Sequence, residues 1–445
     1  MSSANAYRTA AARPSRRRVL RRAAAAAAAP YIASAAALGG EGRKPAGDRI
    51  TLGILGTGGR GTSIMKSILP LGGAQVVAVC DCMASRRKRA QALAEARYAR
   101  RAGYTGCKAY RDFREVIARK DIDAVVIAPQ DHWHALMVVA AARAGKHIYC
   151  EKPLGVAVAE GQAIRNAVRR YGRVFQTGTQ QRSSRNFRFA CELARNGYLG
   201  TIHTINVGAP GPSYQPRYRG APKPEPVPDG FDFDMYTGPA PKVPYCRGRI
   251  DWPGWYLIWD YCAGFIVNWG VHHLDIAHWG CPAIGRQSVQ VTCKGTYRTK
   301  GLSDNINDWQ ADMHFAGGLR MTFTDTGHPN KQGCEFVGDK GRVHVSRRGI
   351  SAKPANLLKV TIRPNETHLV TSAHHQANFL QCVRTGRDPV SPVESGHVAS
   401  TLGLVAEIAT RLKRKLTWDP KAEKFGNDDV ANRRLARPMR SPWTL

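Results

Sequence analysis

The stretch Ile50-Thr51-Leu52-Gly53-Ile54-Leu55-Gly56-Thr57-Gly58-Gly59-Arg60-Gly61 constrains the fold of this chain more than any other. Its first half is a run of aliphatic and β-branched residues that reads as a buried strand. Gly56-x-Gly58-x-x-Gly61 then turns that strand into a helix-compatible segment, Thr62 to Leu69. The glycines meet three demands at once: a tight turn, close approach of backbone to a pyrophosphate, and close packing of helix on strand. The phosphates then lie at the helix N-terminus, so Gly56, Gly58, Gly59, Arg60 and Gly61 are cofactor candidates. A glycine pattern alone is weak, but here Ala74 to Asp81 follows as a second apolar strand ending in an acid. Asp81 at that place accepts hydrogen bonds from ribose hydroxyls and repels a 2′-phosphate. NAD is therefore expected, with NADP the less favoured alternative that Arg86 and Arg87 keep open.

Further strands and helices alternate behind this unit. Ser85 to Ala102 and Tyr110 to Arg119 read as helices, Asp123 to Pro129 as a third strand, and Ala135 to Ala144 as another helix. His147 to Cys150 is then a short strand that runs into Glu151-Lys152-Pro153. This order predicts an α/β domain with a parallel sheet and right-handed crossovers. Ligands bind at the carboxyl edge of such a sheet, where Pro129, His132, His134, Glu151 and Lys152 fall. His132 and His134 can reach the cofactor from there. Helix capping by Asp131 and ordinary surface histidines are the plainer alternatives. Arg173 to Arg182, with Gln180, is the last strand of the domain and its exit.

A chain of 445 residues is too long for one ordinary core, so two domains with appendages are expected. The formal charge is +33, which invites a nucleic-acid reading. The basic residues are spread along the chain, however, without a zinc-finger, RNP or helix-turn-helix pattern, so no nucleic-acid partner is expected. Seven arginines lie in an N-terminal leader that has no acidic residue. There, Ser15-Arg16-Arg17-Arg18-Val19-Leu20-Arg21 precedes a small-residue segment, Ala23 to Leu38, that is too weakly apolar for a good membrane span. The pattern resembles a twin-arginine export signal and makes the export machinery a partner and the periplasm the expected location. A leader retained in the membrane and a low-complexity tail are the alternatives. The eleven cysteines are dispersed without a C-x-x-C pair, so neither a zinc site nor a disulfide framework is expected.

The second constellation is Asn268-Trp269-Gly270-Val271-His272-His273-Leu274-Asp275-Ile276-Ala277-His278. His272 and Asp275 share a helical neighbourhood, as do Asp275 and His278. His272-x-x-Asp275 as a metal site is the lesser alternative, since no third ligand of matching spacing is evident, and no metal is expected. Residues 209–258 are rich in Pro, Gly and aromatics; Trp252, Trp255, Tyr256, Trp259 and Tyr261 either stack on a sugar or staple the loop, and stapling is favoured for most. Short strands over Trp309–Phe315, Leu319–Thr324, Gly333–Val337 and Gly341–Val345 suggest an antiparallel sheet. Helices are expected from His374 and over Val398 to Leu412.

Together, the glycine fingerprint, Asp81, Asp131-His132-Trp133-His134 and Gly145-Lys146-His147-Ile148-Tyr149-Cys150-Glu151-Lys152-Pro153-Leu154 resemble the glucose–fructose oxidoreductase / inositol dehydrogenase / MocA family, in particular its exported members. The resemblance implies an N-terminal Rossmann domain and a C-terminal α+β domain with an open, mostly antiparallel sheet. The corresponding divisions are a leader at 1–38, a linker at 39–48, a Rossmann domain at 49–178, a substrate and oligomerisation domain at 179–415 and an arm at 416–445. It also implies hydride transfer between NAD(P) and a sugar or cyclitol carbon, with Glu151 on the nicotinamide ribose, Lys152 on the reacting hydroxyl, and a cis Lys152–Pro153 bond. Where archetypal members read D-x-G-x-H-x-x-D, this chain has Asn268 at the first acid. Asn cannot exchange a proton at neutral pH, so His272 becomes the candidate base, with Asn268 and Asp275 orienting it and the substrate. Arg182, Trp259, Tyr261 and His273 complete the expected substrate site. Two other functions stay open on the same fold: cleavage of a glycoside through transient oxidation, and sugar binding without turnover. The exposed face of the second sheet suggests a homo-oligomer.

Overall fold

Six strands pair in parallel to form the first sheet: β1 (Ile50–Leu55), β2 (Ala74–Cys80), β3 (Lys108–Tyr110), β4 (Ala124–Ile127), β5 (His147–Cys150) and β6 (Phe175–Thr177). Their spatial order is β3-β2-β1-β4-β5-β6. The helices between them are α1 (Gly59–Ile68), α2 (Ala84–Tyr98), α3 (Phe113–Ala118), α4 (His134–Arg143) and α5 (Val158–Arg170). β1, β4 and β5 are almost wholly buried, as continuous apolar strands between two helical layers should be. The strand order reverses between β1 and β4, which opens a crevice at the carboxyl ends of those strands. These descriptions come from a computed structural model covering residues 49–99, 104, 106–212, 223–298 and 301–445. The expected leader and linker lie outside the described residues. No helix among those residues is long and apolar enough to cross a membrane.

One local expectation is corrected. Tyr110 does not begin a helix but ends the edge strand β3, paired with Cys80. The helix waits until Phe113 because the Asp112 side chain accepts the Arg114 N–H at 2.9 Å and so caps the first turn.

The second domain begins with α6 (Arg185–Arg195) and β7 (Ile202–Ala209), continues through α7 (Phe233–Thr237), α8 (Gly264–Asn268) and α9 (Gly270–Gly280), and then forms β8 (Val289–Tyr297), β9 (Ile306–Phe315), β10 (Arg320–Asp325), β11 (Gly333–Gly338), β12 (Gly341–Ser346) and β13 (Gly349–Lys353). After α10 (His375–Thr385) and α11 (Val393–Leu412), β14 (Leu416–Trp418) completes an eight-stranded sheet of order β13-β12-β11-β7-β10-β9-β8-β14. Only β7 and β10 are parallel; the other pairs are antiparallel, matching the expected mostly antiparallel sheet. β8, β13 and β14 were not expected from the sequence. Along β8, Val289, Val291 and Cys293 are buried while Gln290, Thr292 and Lys294 are exposed, so one face is covered and the other polar. α9 lies on the covered face, nearly all of it buried. Its approach needs the missing side chain of Gly270, where a Cβ would stand 2.5 Å from the Phe323 ring. All eleven cysteines are unpaired.

A buried ion pair fixes the passage between the two domains. Arg182, just past β6, donates from Nε and Nη2 to the two oxygens of Asp275 on α9, both at 2.7 Å. The arginine is 5 % exposed and the aspartate fully buried. The guanidinium also lies over the Trp279 ring at 5.0 Å. Removing one member of such a pair leaves an uncompensated buried charge. Arg182→Leu should therefore lower the unfolding free energy by about 3–5 kcal/mol. Arg182→Leu/Asp275→Leu should recover much of that loss; chemical denaturation of the three proteins checks both outcomes.

Candidate active site

The fingerprint turn is built by contacts that the glycines alone permit. Gly56 has φ of +84°, and a Cβ there would lie 2.6 Å from the Pro129 nitrogen. A Cβ on Gly61 would meet the Gly56 carbonyl oxygen at 1.8 Å, so helix α1 packs directly against the turn. Around Gly59, by contrast, a Cβ would meet nothing within 4 Å, which leaves the helix N-terminus open for phosphate. Asp81, 6 % exposed, accepts the Thr57 N–H at 2.8 Å and the Met83 N–H at 3.0 Å. It thus holds the turn while facing a cavity lined by Gly56, Gly58, Arg86, Arg111, Trp133 and Tyr236. That cavity has the place and the donor set for an adenosine ribose, and the residues present fit a dinucleotide.

A larger cavity, about 980 Å³, continues from the turn along the strand ends to the second domain. Gly58, Gly59, Arg60, Pro129, Glu151, Lys152, Gln180 and His272 line it, together with several residues not singled out from the sequence. Glu151 accepts hydrogen bonds from Arg60 Nε at 3.0 Å and Gln180 Nε2 at 2.9 Å, so three expected cofactor residues form one network. The Lys152–Pro153 bond is cis, as expected.

Lys152 does not project freely. Its Nζ donates to the Asn268 side-chain oxygen at 2.5 Å and to the Asn268 backbone oxygen at 2.9 Å. The Asn268 amide nitrogen in turn donates to both oxygens of Asp131, at 3.0 and 2.7 Å. Asp131 does not cap its helix; it reaches across to the second domain. Burial raises the Asp131 carboxyl above its usual range, opposed by His134, Lys152 and Asn268. Burial likewise pulls the Lys152 ammonium below its ordinary value, opposed first by Asp131 and then by Glu151. Asn268, 1 % exposed, is thus a bridge between these two charges, with both ends of its amide in use.

His272 lines the cavity, its Nδ1 buried without a hydrogen-bond partner among the described residues. Burial drives its pKa well below 6.5, and the charges of Lys152 and Arg347 push the same way, so the ring stays neutral at pH 7. Asp275 does not orient it: that carboxylate is committed to Arg182, and neither residue reaches the cavity. Helical spacing made Asp275 a neighbour of His272, but a partner 93 residues away in sequence holds it instead.

Other expected residues serve the scaffold. His132 is fully buried, its ring nitrogens 3.3 and 3.2 Å from the Tyr261 and Tyr236 carbonyls, and burial lowers it to about 3. It joins the first domain to the loop of the second rather than facing a cofactor. His134 contacts the Pro153 carbonyl through Nδ1 at 2.7 Å, behind the Lys152–Pro153 turn. His273 is buried against Phe187, and burial lowers it to about 3. Trp259 lies under the Arg411 guanidinium at 4.1 Å, and Tyr261 is buried beside Tyr236, so neither lines the cavity. The cavity aromatics are instead Phe187, Trp252, Trp255, Tyr256 and Trp269. His374 caps α10, accepting the Ala377 N–H at 3.1 Å. Gln181, Ser346 and Arg347 carry no local motif; the end of β12 and the turn that follows it bring the last two into the wall.

Comparison with known proteins assigns the chain. Residues 50–179 match the NAD-binding Rossmann fold of an oxidoreductase family, and residues 192–445 match the C-terminal alpha/beta domain of the same family. The chain belongs to the Gfo/Idh/MocA oxidoreductase family. Its relatives include myo-inositol 2-dehydrogenase of Thermotoga maritima, 28% identical over 325 residues that span 69% of this chain and 84% of that protein. A glycosyl hydrolase family 109 protein of Solibacter usitatus is 32% identical over 123 residues, 27% of each chain. Aldose-aldose oxidoreductase of Caulobacter crescentus shares the fold at a TM-score of 0.60 and 19% identity, over 83% of this chain and 99% of that one. Within the Gfo/Idh/MocA frame the fingerprint is the most easily tested element. Gly61→Ala should weaken nicotinamide dinucleotide binding at least tenfold, about 1.4 kcal/mol, because the added carbon collides with backbone; equilibrium dialysis of folded protein measures it.

Proposed function

We propose that this protein is an NAD-dependent oxidoreductase acting on a CH–OH carbon of a sugar or cyclitol. The observation that carries the reading is Lys152. Its ammonium is fixed by Asn268 in the wall of a cavity that joins the fingerprint turn to His272. Relatives named as inositol dehydrogenases support the substrate class. NAD is preferred over NADP because the Asp81 carboxylate, held at the ribose end by two backbone N–H groups, repels a 2′-phosphate. A bound nicotinamide supplies the hydride acceptor. Glu151 and Gln180 orient the ribose that carries it. Lys152 donates a hydrogen bond to the reacting hydroxyl and polarises it, and the neutral His272 imidazole accepts the hydroxyl proton as the carbon is oxidised. Asn268 and Asp131 position Lys152 and hold its charge. We extend the reading to export through the twin-arginine leader and to self-association through the polar face of the second sheet.

A second reading keeps these residues but returns the hydride to the same sugar after bond cleavage. It draws on the partial similarity to a glycosyl hydrolase family 109 protein. Acid release of nucleotide from purified protein, followed by assay of a panel of sugars, cyclitols and glycosides for NADH and for released sugar, separates the two. Net NADH formation supports the first reading; sugar release without NADH favours the second, and absence of both bound and bindable NAD overturns each.

Lys152→Met should retain NAD and lose about 10²–10⁴ in kcat, the range of general acid–base assistance. Because folding lowers both groups, the pH profile of kcat/KM for oxidation should not fall as pH drops through 6.5, where an ordinary histidine would take up a proton. Its alkaline limb, set by Lys152, should lie below 10.5.

A further inference from the structure

The substrate end of the cavity holds one cation for which the mechanism above has no use. Four cationic side chains line the cavity: Arg60, Arg86, Lys152 and Arg347. Arg60 is paired with Glu151 at 3.0 Å. Lys152 is tied through Asn268 to Asp131. Arg86 stands at the fingerprint, its Nη1 3.6 Å from where a Cβ of Gly58 would be, and lines the Asp81 cavity as well, on the cofactor's side. Arg347 has no ion pair among the described residues. The only carboxylates in the cavity wall are Asp131 and Glu151, both already engaged.

Arg347 is nonetheless held in place. Its guanidinium lies over the Trp269 ring at 4.7 Å, a stacking that a planar, weakly hydrated cation favours. Its Nε lies 3.3 Å from the Gln181 side-chain oxygen, in the amide orientation that also lets the Gln181 nitrogen donate to the His272 carbonyl. Those contacts use one face and Nε. They leave the two terminal nitrogens, the fork that takes a carboxylate in bidentate fashion. Trp269 in turn meets the His272 ring edge-on at 5.4 Å, so the free fork and the imidazole flank the same aromatic ring.

We propose that the substrate is a carboxylated monosaccharide, a uronate or aldonate, whose carboxylate is held by Arg347 while its reacting hydroxyl lies between Lys152 and His272. This rests on the sugar oxidoreductase reading and adds the chemical class. The free fork sets the orientation: the sugar's charged end goes to the turn between β12 and β13, and its ring lies along the Trp252, Trp255 and Trp269 wall. Neutral sugars leave the arginine without a partner and bind more weakly.

The test uses the full chain loaded with NAD. Its nucleotide content is measured first, so a failure of the cofactor reading shows before any sugar is added. Glucuronate, galacturonate and gluconate are then titrated against glucose, galactose, glucitol and glucose 6-phosphate by calorimetry at low salt. At least one carboxylated sugar should bind at least tenfold tighter than its neutral counterpart, about 1.4 kcal/mol. Arg347→Gln should bring that ratio close to one without changing NAD affinity, and Arg347→Lys should restore only part of it. Equal binding of neutral sugars, no binding of any carboxylated sugar, or tighter binding of the phosphate would overturn the proposal. So would a preference that survives Arg347→Gln, or a loss of NAD affinity in that variant, which would assign the arginine to the cofactor.

Discussion

The buried line from Asp131 through Asn268 to Lys152 holds the catalytic end of this molecule together. A carboxylate 2 % exposed would be costly without partners, and it finds one in an amide that itself receives the lysine. Asp131 lies at the exit of β4 in the first domain, Lys152 at the exit of β5, and Asn268 at the end of α8 in the second. Three elements from two domains are thereby placed relative to one another at hydrogen-bond precision. The arrangement also accounts for the departure of this chain from the acid expected at position 268. A second carboxylate there would stand within hydrogen-bond distance of Asp131, and two like charges so close cannot both ionise in a buried site. Aspartate at 131 and asparagine at 268 are therefore one choice made twice.

Around that line the polar residues separate into those fixed by the protein and those left for a ligand. Arg182 and Asp275 satisfy each other completely and join the exit of β6 to α9. His132 and His273 are held neutral by burial, one between carbonyls and one against a phenyl ring. None of these four needs a substrate. His272, one residue from His273 on the same helix, differs in facing the cavity, and Arg347 differs from Arg182 in lacking a carboxylate among the described residues. The separation is one of place and partners rather than residue type: His273, whose ring nitrogens have no hydrogen-bond partner among the described residues, stays in the scaffold because it does not line the cavity. It distinguishes a site residue from a scaffold residue where composition does not.

Those partners are also what local sequence does not record. The fingerprint, Asp81, Glu151, Lys152 and Gln180 were legible because each lies at the end of a strand whose apolar pattern and turn chemistry are local signals. The glycines carry their reason in the backbone, and a run of strand and helix periods places them at one sheet edge. Asp275 misled because helical spacing records only what lies on the same helix, whereas its partner comes from another domain. Trp259 and Tyr261 belong to the same aromatic cluster in sequence as Trp252, Trp255 and Tyr256. Which of them face the cavity depends on short 3₁₀ turns at Arg247–Arg249 and Gly254–Leu257, which have no apolar period to read. Arg347 follows a strand that was anticipated, but its direction is set by Trp269, a contact no spacing encodes.

At the nucleotide end the second domain completes a site whose fingerprint belongs to the first. Asp232 donates its N–H to the Cys82 carbonyl at 3.0 Å, and Phe231 bridges to Met83, so the loop before α7 pairs with the backbone just past Asp81. Met235 and Tyr236 then complete the ribose cavity opposite Gly56. The C-terminal arm braces this lid from outside. Arg440 binds the Asp234 side chain at 2.7 Å and the Gly238 carbonyl at 2.9 Å, while Trp443 packs edge-on against Trp133 at 4.7 Å. Arg437 bonds to Glu160 on α5 at 2.7 Å, which anchors the arm to the first domain. A nucleotide seated against Asp81 is thus enclosed by three segments distant in sequence and bonded to one another. The loop at 231–237 is held on one side by the Cys82 backbone and on the other by the arm, so the wall opposite Gly56 is built from parts of the chain that no local pattern connects.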